Sequence, residues 1–167
     1  MNQRRSSTGY ASVDTAIDDL WMAINDSMAS SSTTIIGGTT LTTEGGIAVP
    51  ITNGSGVRLY KGYLVTTGSG IGIVDIAAIG EHYLSGVIYE EIAPYKTGLM
   101  VITGFCDVYF NSGGSTLNEY FRINKTGDTG ATNGYAESSD RYDNTRTGGQ
   151  VNETRSGEGI ARCLLRR

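Results

Sequence analysis

The sequence predicts a mainly β fold: a small, glycine-rich β-barrel or sandwich with one N-terminal helix. Three observations predict it. Between Val57 and Phe110, 30 of 54 residues are hydrophobic, against 38% for the whole chain, so most of the capacity for burial lies there. In that block β-branched and aromatic residues stand between Gly62, Gly68, Gly70, Gly80, Gly86, Gly98 and Gly104, the spacing of short strands and turns. Glycine supplies 24 of the 167 residues and proline only 2. Against a usual glycine share of about 7%, that composition fits many tight turns better than a disordered linker.

Within the block the pattern predicts strands at Val57–Tyr60, Tyr63–Thr66, Gly70–Ile76, Leu84–Tyr89, Leu99–Thr103 and Phe105–Phe110. The last alternates most cleanly, with Cys106, Val108 and Phe110 on a core face and Asp107 and Tyr109 on a wetter one. Lys61-Gly62 and Thr67-Gly68 read as hairpin tips, and Pro94 falls between strands.

Before the block, residues 1–34 form an N-terminal arm and an oligomerisation or docking helix. Met1–Ala11 is polar, carries Arg4 and Arg5, and reads as a free arm. Ser12–Met28 is the one good helix, with Ser12 as N-cap and Asp14 in the first turn. Val13, Ile17, Leu20 and Ile24 follow the 4-3-4 spacing of a coiled-coil seam for about two heptads. Trp21 widens the stripe, and Asp18, Asp19, Asn25 and Asp26 take the other face. So short a helix is marginal alone in water, so its stripe packs on the chain's own barrel, on copies of itself or on a host surface. The ASSSTT linker Ala29–Thr34 ends it, and Ile35–Val49 supplies one or two short strands. Pro50 and then Asn53-Gly54 read as a turn into the main block.

Residues 35–167 form the barrel-like domain. Past the NSGGS turn at Asn111–Ser115, Glu119–Ile123 reads as a strand with Phe121 and Ile123 on one face. Lys125–Gly157 changes character, with five hydrophobic and nine charged residues among 33. It reads as a long polar excursion over 125–157 with one short strand near Tyr135, because structureless stretches of this length are usually functional or disordered. Gly159–Leu165 returns to strand pattern and closes the barrel, with Arg162, Arg166 and Arg167 at its exit.

The net charge of −4 lacks the basic stripe of a nucleic-acid binder. No stretch approaches the ~18 apolar residues of a membrane span, and no apolar run follows the basic N-terminus as in a signal peptide. The expectation is a soluble product that folds in a reducing cytoplasm, without nucleic-acid or membrane partners. Cys106 and Cys163 lie in apolar strand patterns and read as buried free thiols, although two positions alone do not exclude a disulfide.

No chemistry stands out. His82 is the one histidine and has no partner at metal-ligand spacing. Gly68-Ser69-Gly70-Ile71-Gly72 lacks the Lys-Ser/Thr and the helix of a phosphate loop. No nucleophile elbow precedes a helix, and Glu90-Glu91 and the Asp140/Asp143 pair read as solvated charges. Ile73-Val74-Asp75 and Tyr83-Leu84-Ser85-Gly86 stand too far apart for the trimeric dUTPase motif. The Arg-Ser-Ser that dUTPases carry late in the chain occurs here at Arg5-Ser6-Ser7. The chain is therefore expected to be no enzyme, with no cofactor and no metal.

A run of features carries one resemblance. It begins at Val57-Arg58-Leu59-Tyr60-Lys61-Gly62-Tyr63-Leu64-Val65 and continues through Leu84-Ser85-Gly86-Val87-Ile88. The linked strands Gly98–Val108 follow, and Gly157-Glu158-Gly159-Ile160-Ala161-Arg162-Cys163-Leu164 closes it. Over about Val57–Leu165 the chain resembles the small capsid-associated decoration, or cement, proteins of tailed bacteriophages. The N-terminal helix and the polar stretch depart from that pattern. The resemblance implies a virion structural protein on the capsid surface, a homotrimer that binds the major capsid protein lattice and stabilises it. Arg4, Arg5, Val13, Ile17, Leu20, Trp21 and Ile24 are then the expected oligomer or capsid interface. The competing expectation is a receptor- or carbohydrate-binding module of a phage fibre or tail, using its tyrosines and the 125–157 stretch.

Overall fold

A computed structural model describes residues 33–35, 38–128 and 130–166. Arg4, Arg5, the predicted helix Ser12–Met28 and its stripe of Val13, Ile17, Leu20, Trp21 and Ile24 lie outside the described residues. Among those described there are eleven strands and no helix. They are β1 (Thr33–Ile35), β2 (Thr39–Leu41), β3 (Gly46–Asn53), β4 (Leu64–Thr67), β5 (Ile73–Ile76), β6 (Leu84–Ile88), β7 (Thr97–Phe110), β8 (Tyr120–Ile123), β9 (Ala136–Ser139), β10 (Thr147–Val151) and β11 (Gly159–Leu165).

The architecture turns on β7. Its first half pairs antiparallel with β3, from Thr52↔Thr97 to Gly46↔Gly104. Its second half pairs with β11, from Leu165↔Gly104 to Gly159↔Phe110. The circuit β3-β5-β4-β6-β7 returns to β3 and makes a five-stranded closed barrel. The circuit β7-β11-β10-β8-β9 returns to β7 through one parallel rung, Phe110↔Ala136. A closed circuit leaves none of its strands with a free edge.

The pivot is Gly104, where β7 passes from one partner to the other. Its φ is +89°, and a Cβ there would stand 2.7 Å from the Gly45 carbonyl oxygen. Leu99–Thr103 and Phe105–Phe110, expected as two linked strands, are thus one 14-residue strand that runs through this glycine.

The core has two parts. Ile51, Leu59, Val65, Val74, Ile88, Ile92 and Met100 fill the barrel. Ala48, Leu64, Val87 and Val101 point the other way and join Cys106, Val108, Phe110, Phe121, Ile123 and Cys163 in the second core. Neighbours on one strand, such as Leu64/Val65 and Met100/Val101, therefore serve different cores. Such strands are buried on both faces and read as apolar runs instead of alternating. On β7 beyond Gly104 the expected alternation holds: Cys106, Val108 and Phe110 are buried, and Asp107 and Tyr109 are half-buried.

Several sequence expectations are corrected. Val57–Tyr60 is not a strand but makes one bridge, Leu59↔Ile92. Asn53, wholly buried at the end of β3, anchors this segment. Its Nδ2 donates to the carbonyls of Val57 (2.9 Å), Ile92 (3.2 Å) and Ala93 (3.2 Å). Its Oδ1 accepts from the Ser55 amide (2.9 Å) and hydroxyl (2.6 Å). Leu59, held this way, is a wholly buried part of the barrel core. Gly70–Gly72 belongs to the β4–β5 turn, and the strand starts at Ile73. Lys61-Gly62 is a tight turn ahead of β4, not a hairpin tip.

Pro50 lies inside β3, not in a turn. It sits between the partners of β2 (Ile47, Ala48) and those of β5 (Thr52, Asn53), where that side of β3 has no ladder to lose. The 125–157 stretch is no excursion, since it contains β9 and β10. Gly159–Leu165 is a strand with the expected bounds, but β11 belongs to the second circuit, and the barrel is closed by β3 on β7.

Candidate functional site

Half-buried aromatic and charged groups, with the exposed Tyr60, gather where the Tyr60–Tyr63 turn meets β7. The Gly62 amide donates to the Ile88 carbonyl (2.8 Å), and the Gly62 carbonyl accepts from the Tyr109 amide (2.9 Å). Gly62 has φ +87°, and a Cβ there would lie 2.9 Å from the Tyr109 nitrogen. Only glycine allows this approach, which sets Tyr60 and Tyr63 beside Tyr109 on the wetter face of β7 and beside Tyr135, just ahead of β9.

The rings interlock. Tyr63 stands edge-on to Tyr60 (5.5 Å between centroids), Tyr109 (6.0 Å) and Tyr135 (5.4 Å), and Tyr109 lies 4.6 Å from Tyr135. Edge-to-face pairs at these spacings are attractive beyond the area they bury. The Tyr109 and Tyr135 hydroxyls both donate to Glu158 Oε1, at 3.2 and 3.5 Å. Burial, and then the carboxylate of Glu158, holds the Tyr109 phenol above its ordinary range. Burial and Tyr63 raise that of Tyr135 further. Both rings are neutral donors across the physiological range.

Ion pairs flank the rings. Lys61 Nζ lies 3.0 Å from Glu44 and 2.9 Å from Asp107, and Arg162 Nε lies 2.8 Å from the other Asp107 oxygen. Burial pushes the Glu44 carboxyl up, but hydrogen bonds from Lys61 and Thr43 outweigh it and leave the group lowered. For Lys61, burial opposes the charge, and the bonds to Asp107 and Glu44 overcome it and raise the amine. Lys61 also stands 5.7 Å from the Tyr89 ring centroid. Arg58 pairs with Glu91. Between these groups is a concavity of about 410 Å³ lined by Tyr60, Lys61, Tyr63, Glu91, Tyr109 and Ile160. Tyr60 is 47% exposed and Ile160 36%.

The sequence-level candidates for chemistry lie elsewhere. His82 is exposed, with Nδ1 3.0 Å from Thr145 Oγ1 and Nε2 3.1 Å from Arg146 Nη2. Asp143 caps its own turn, accepting from the Thr145 amide (2.9 Å) and hydroxyl (2.8 Å), and these bonds hold its carboxyl below the usual range. Cys106 and Cys163 are buried free thiols. Among the described residues no group of three or more His, Cys, Asp and Glu is placed to hold a metal ion. The sequence holds ten tyrosines but does not show which of them meet, so this cluster was not expected. Its local signals were Tyr60-Lys61-Gly62-Tyr63 and the outward position of Tyr109.

No protein-family model matches the sequence, and no curated protein matches it. Solved structures do match its fold. One is the N base of head fiber gp8.5 in bacteriophage phi29, with a TM-score of 0.51 at 11% identity. The match covers 71% of this chain and 94% of that one. The likeness is one of fold, a mainly β body built on a closed five-stranded barrel with further strands.

Proposed function

We propose that this chain is a virion structural protein of a tailed phage, carried on the capsid exterior as a decoration protein that binds and stabilises the major capsid lattice. The observation that carries the reading is the likeness of fold to a phage head fiber base across 94% of that base. The role needs no catalytic group. It needs a stable body and a surface that meets several subunits at once.

On this reading the two closed circuits form the body. Met1–Thr34, with Arg4, Arg5 and the stripe Val13, Ile17, Leu20, Trp21 and Ile24, supplies the docking and self-association contacts of a homotrimer. Exposed ion pairs contribute only ~0–1 kcal/mol each, so the apolar stripe supplies most of the affinity. Three equivalent weak contacts gain ~10²–10⁴ in avidity. Binding the assembled shell, and not its free subunits, stabilises the shell by mass action.

The test is co-sedimentation of the protein with undecorated capsids. Full-length protein is expected to pellet with intact shells, and a chain lacking Met1–Met28 to pellet far less. Full-length protein that stays in the supernatant while the shells remain intact overturns the reading.

A further inference from the structure

We propose that the tyrosine-lined concavity is a binding site for an uncharged glycan. The site is independent of the capsid reading, and each can fail without the other.

The chemistry of the walls points to this class. Tyr60, Tyr63 and Tyr109 offer ring surface, and Ile160 adds an aliphatic patch. Aromatic rings accept the C–H faces of a sugar ring, and fixed polar groups around them read its hydroxyls. The cavity of about 410 Å³ falls within the range of ~300–1,000 Å³ seen for small-ligand sites.

Electrostatics selects an uncharged ligand over a charged one. Lys61 is balanced by Glu44 and Asp107, Arg162 shares that same Asp107, and Arg58 is balanced by Glu91. An ion entering the cavity would meet paired charges and would lose its own hydration. A polyol loses much less, because Lys61 and Glu91 line the cavity and can each share a hydrogen bond with it.

The site is also ordered before anything binds. Tyr63 is wedged among three other rings. Tyr109 is tied to Glu158 by its hydroxyl and to Gly62 by its backbone. Binding then costs little side-chain entropy. Tyr60, the most exposed of the three lining rings, is the one free to lie against a ligand.

The experiment is NMR on the full-length protein with carbon-13-labelled tyrosine rings. It is titrated separately with neutral trisaccharides of glucose, mannose and N-acetylglucosamine, and with a tri-arginine peptide. The expected result is that at least one sugar shifts the Tyr60, Tyr63 and Tyr109 rings, with a Kd in the millimolar range. Tyr60→Ala should weaken that binding at least tenfold in a protein that still folds, with at most the small loss of stability expected from its one ring contact with Tyr63. Ile160→Asn, a second lining position, should weaken it as well. Tyr95→Ala, exposed but not a lining residue, should leave it alone. Three results overturn the proposal: no sugar shifts these rings at tens of millimolar, the shifts survive both lining variants, or the rings respond to tri-arginine alone.

Discussion

Arg122 and Glu137 face each other across the β8–β9 ladder, and their side chains form an ion pair. Asp128, from the loop between the two strands, lies 3.5 Å from the same guanidinium nitrogen. Arg122 is only 8% exposed, so two carboxyl groups share one buried cation, and burying charge is costly. Burial and the hydrogen bond with Asp128 raise the Glu137 carboxyl from 4.5 to about 7, against the downward pull of Arg122.

The pH dependence follows from that direction. A carboxyl raised on folding favours the protonated folded state. Its stabilising contribution is complete below pH 4.5 and is lost as pH rises through about 7. Glu137→Gln should therefore flatten the fall in melting temperature over this window. A variant whose pH profile matches that of the parent would contradict the assignment.

The burial pattern of β7 predicts unequal losses along consecutive residues. Val108 and Phe110 are wholly buried, whereas Tyr109 faces the cavity. Phe110→Ala should cost about 3–5 kcal/mol and Val108→Ala somewhat less, through lost burial and the cavity left behind. Tyr109→Ala should cost less than either, mainly its ring contacts, at ~0.5–1.5 kcal/mol each. Urea denaturation measures all three. Equal losses at Tyr109 and Phe110 would mean that this strand is buried on both faces.

Gly104→Ala should be among the most damaging small substitutions. It combines a left-handed φ of +89° with a Cβ placed 2.7 Å from the Gly45 carbonyl oxygen and 2.8 Å from the Gly46 Cα. The conformational part alone is worth ~1–2 kcal/mol, and backbone has little room to yield. Gly72→Ala, with φ +71° and nothing within 4 Å of its added Cβ, isolates that conformational part. Thermal melts should rank Gly104→Ala well below Gly72→Ala, and equal melts would remove Gly104 as the pivot.

Cys106 and Cys163 stand opposite each other on the β7–β11 ladder, 2% and 0% exposed. Burial pushes the Cys106 thiol up to about 12 and raises that of Cys163 as well. Since the thiolate is the reactive form, neither should react with an aromatic disulfide reagent at neutral pH until the protein unfolds. Both should react in denaturant. Rapid labelling of the folded protein would contradict this burial.

How legible the fold was depended on where each strand's stability comes from. Glycine punctuation revealed the β class, and the one-sided burial of Cys106, Val108 and Phe110 appeared as alternation. β9 (Ala136–Ser139) is the short strand expected near Tyr135. β10 was hidden because Thr147-Gly148-Gly149-Gln150-Val151 carries little apolar surface, and its stability comes from close packing. A Cβ on Gly149 would sit 2.0 Å from the Leu164 carbonyl oxygen, and one on Gly148 2.3 Å from the Phe121 ring. Glycine there marks a tight approach, but in sequence it reads as a loop. The tyrosine cluster was hidden for another reason. Tyr60, Tyr109 and Tyr135 are far apart in sequence and meet because the Gly62 turn presses on β7, a contact no local pattern records.

The most direct test of the virion role is location. On the proposed reading, immunogold labelling of the virions should place gold over the heads, at positions repeating with the capsid lattice. Gold confined to tail or fibre tips, or virions that bind no antibody while the free protein accumulates in the lysate, would contradict it.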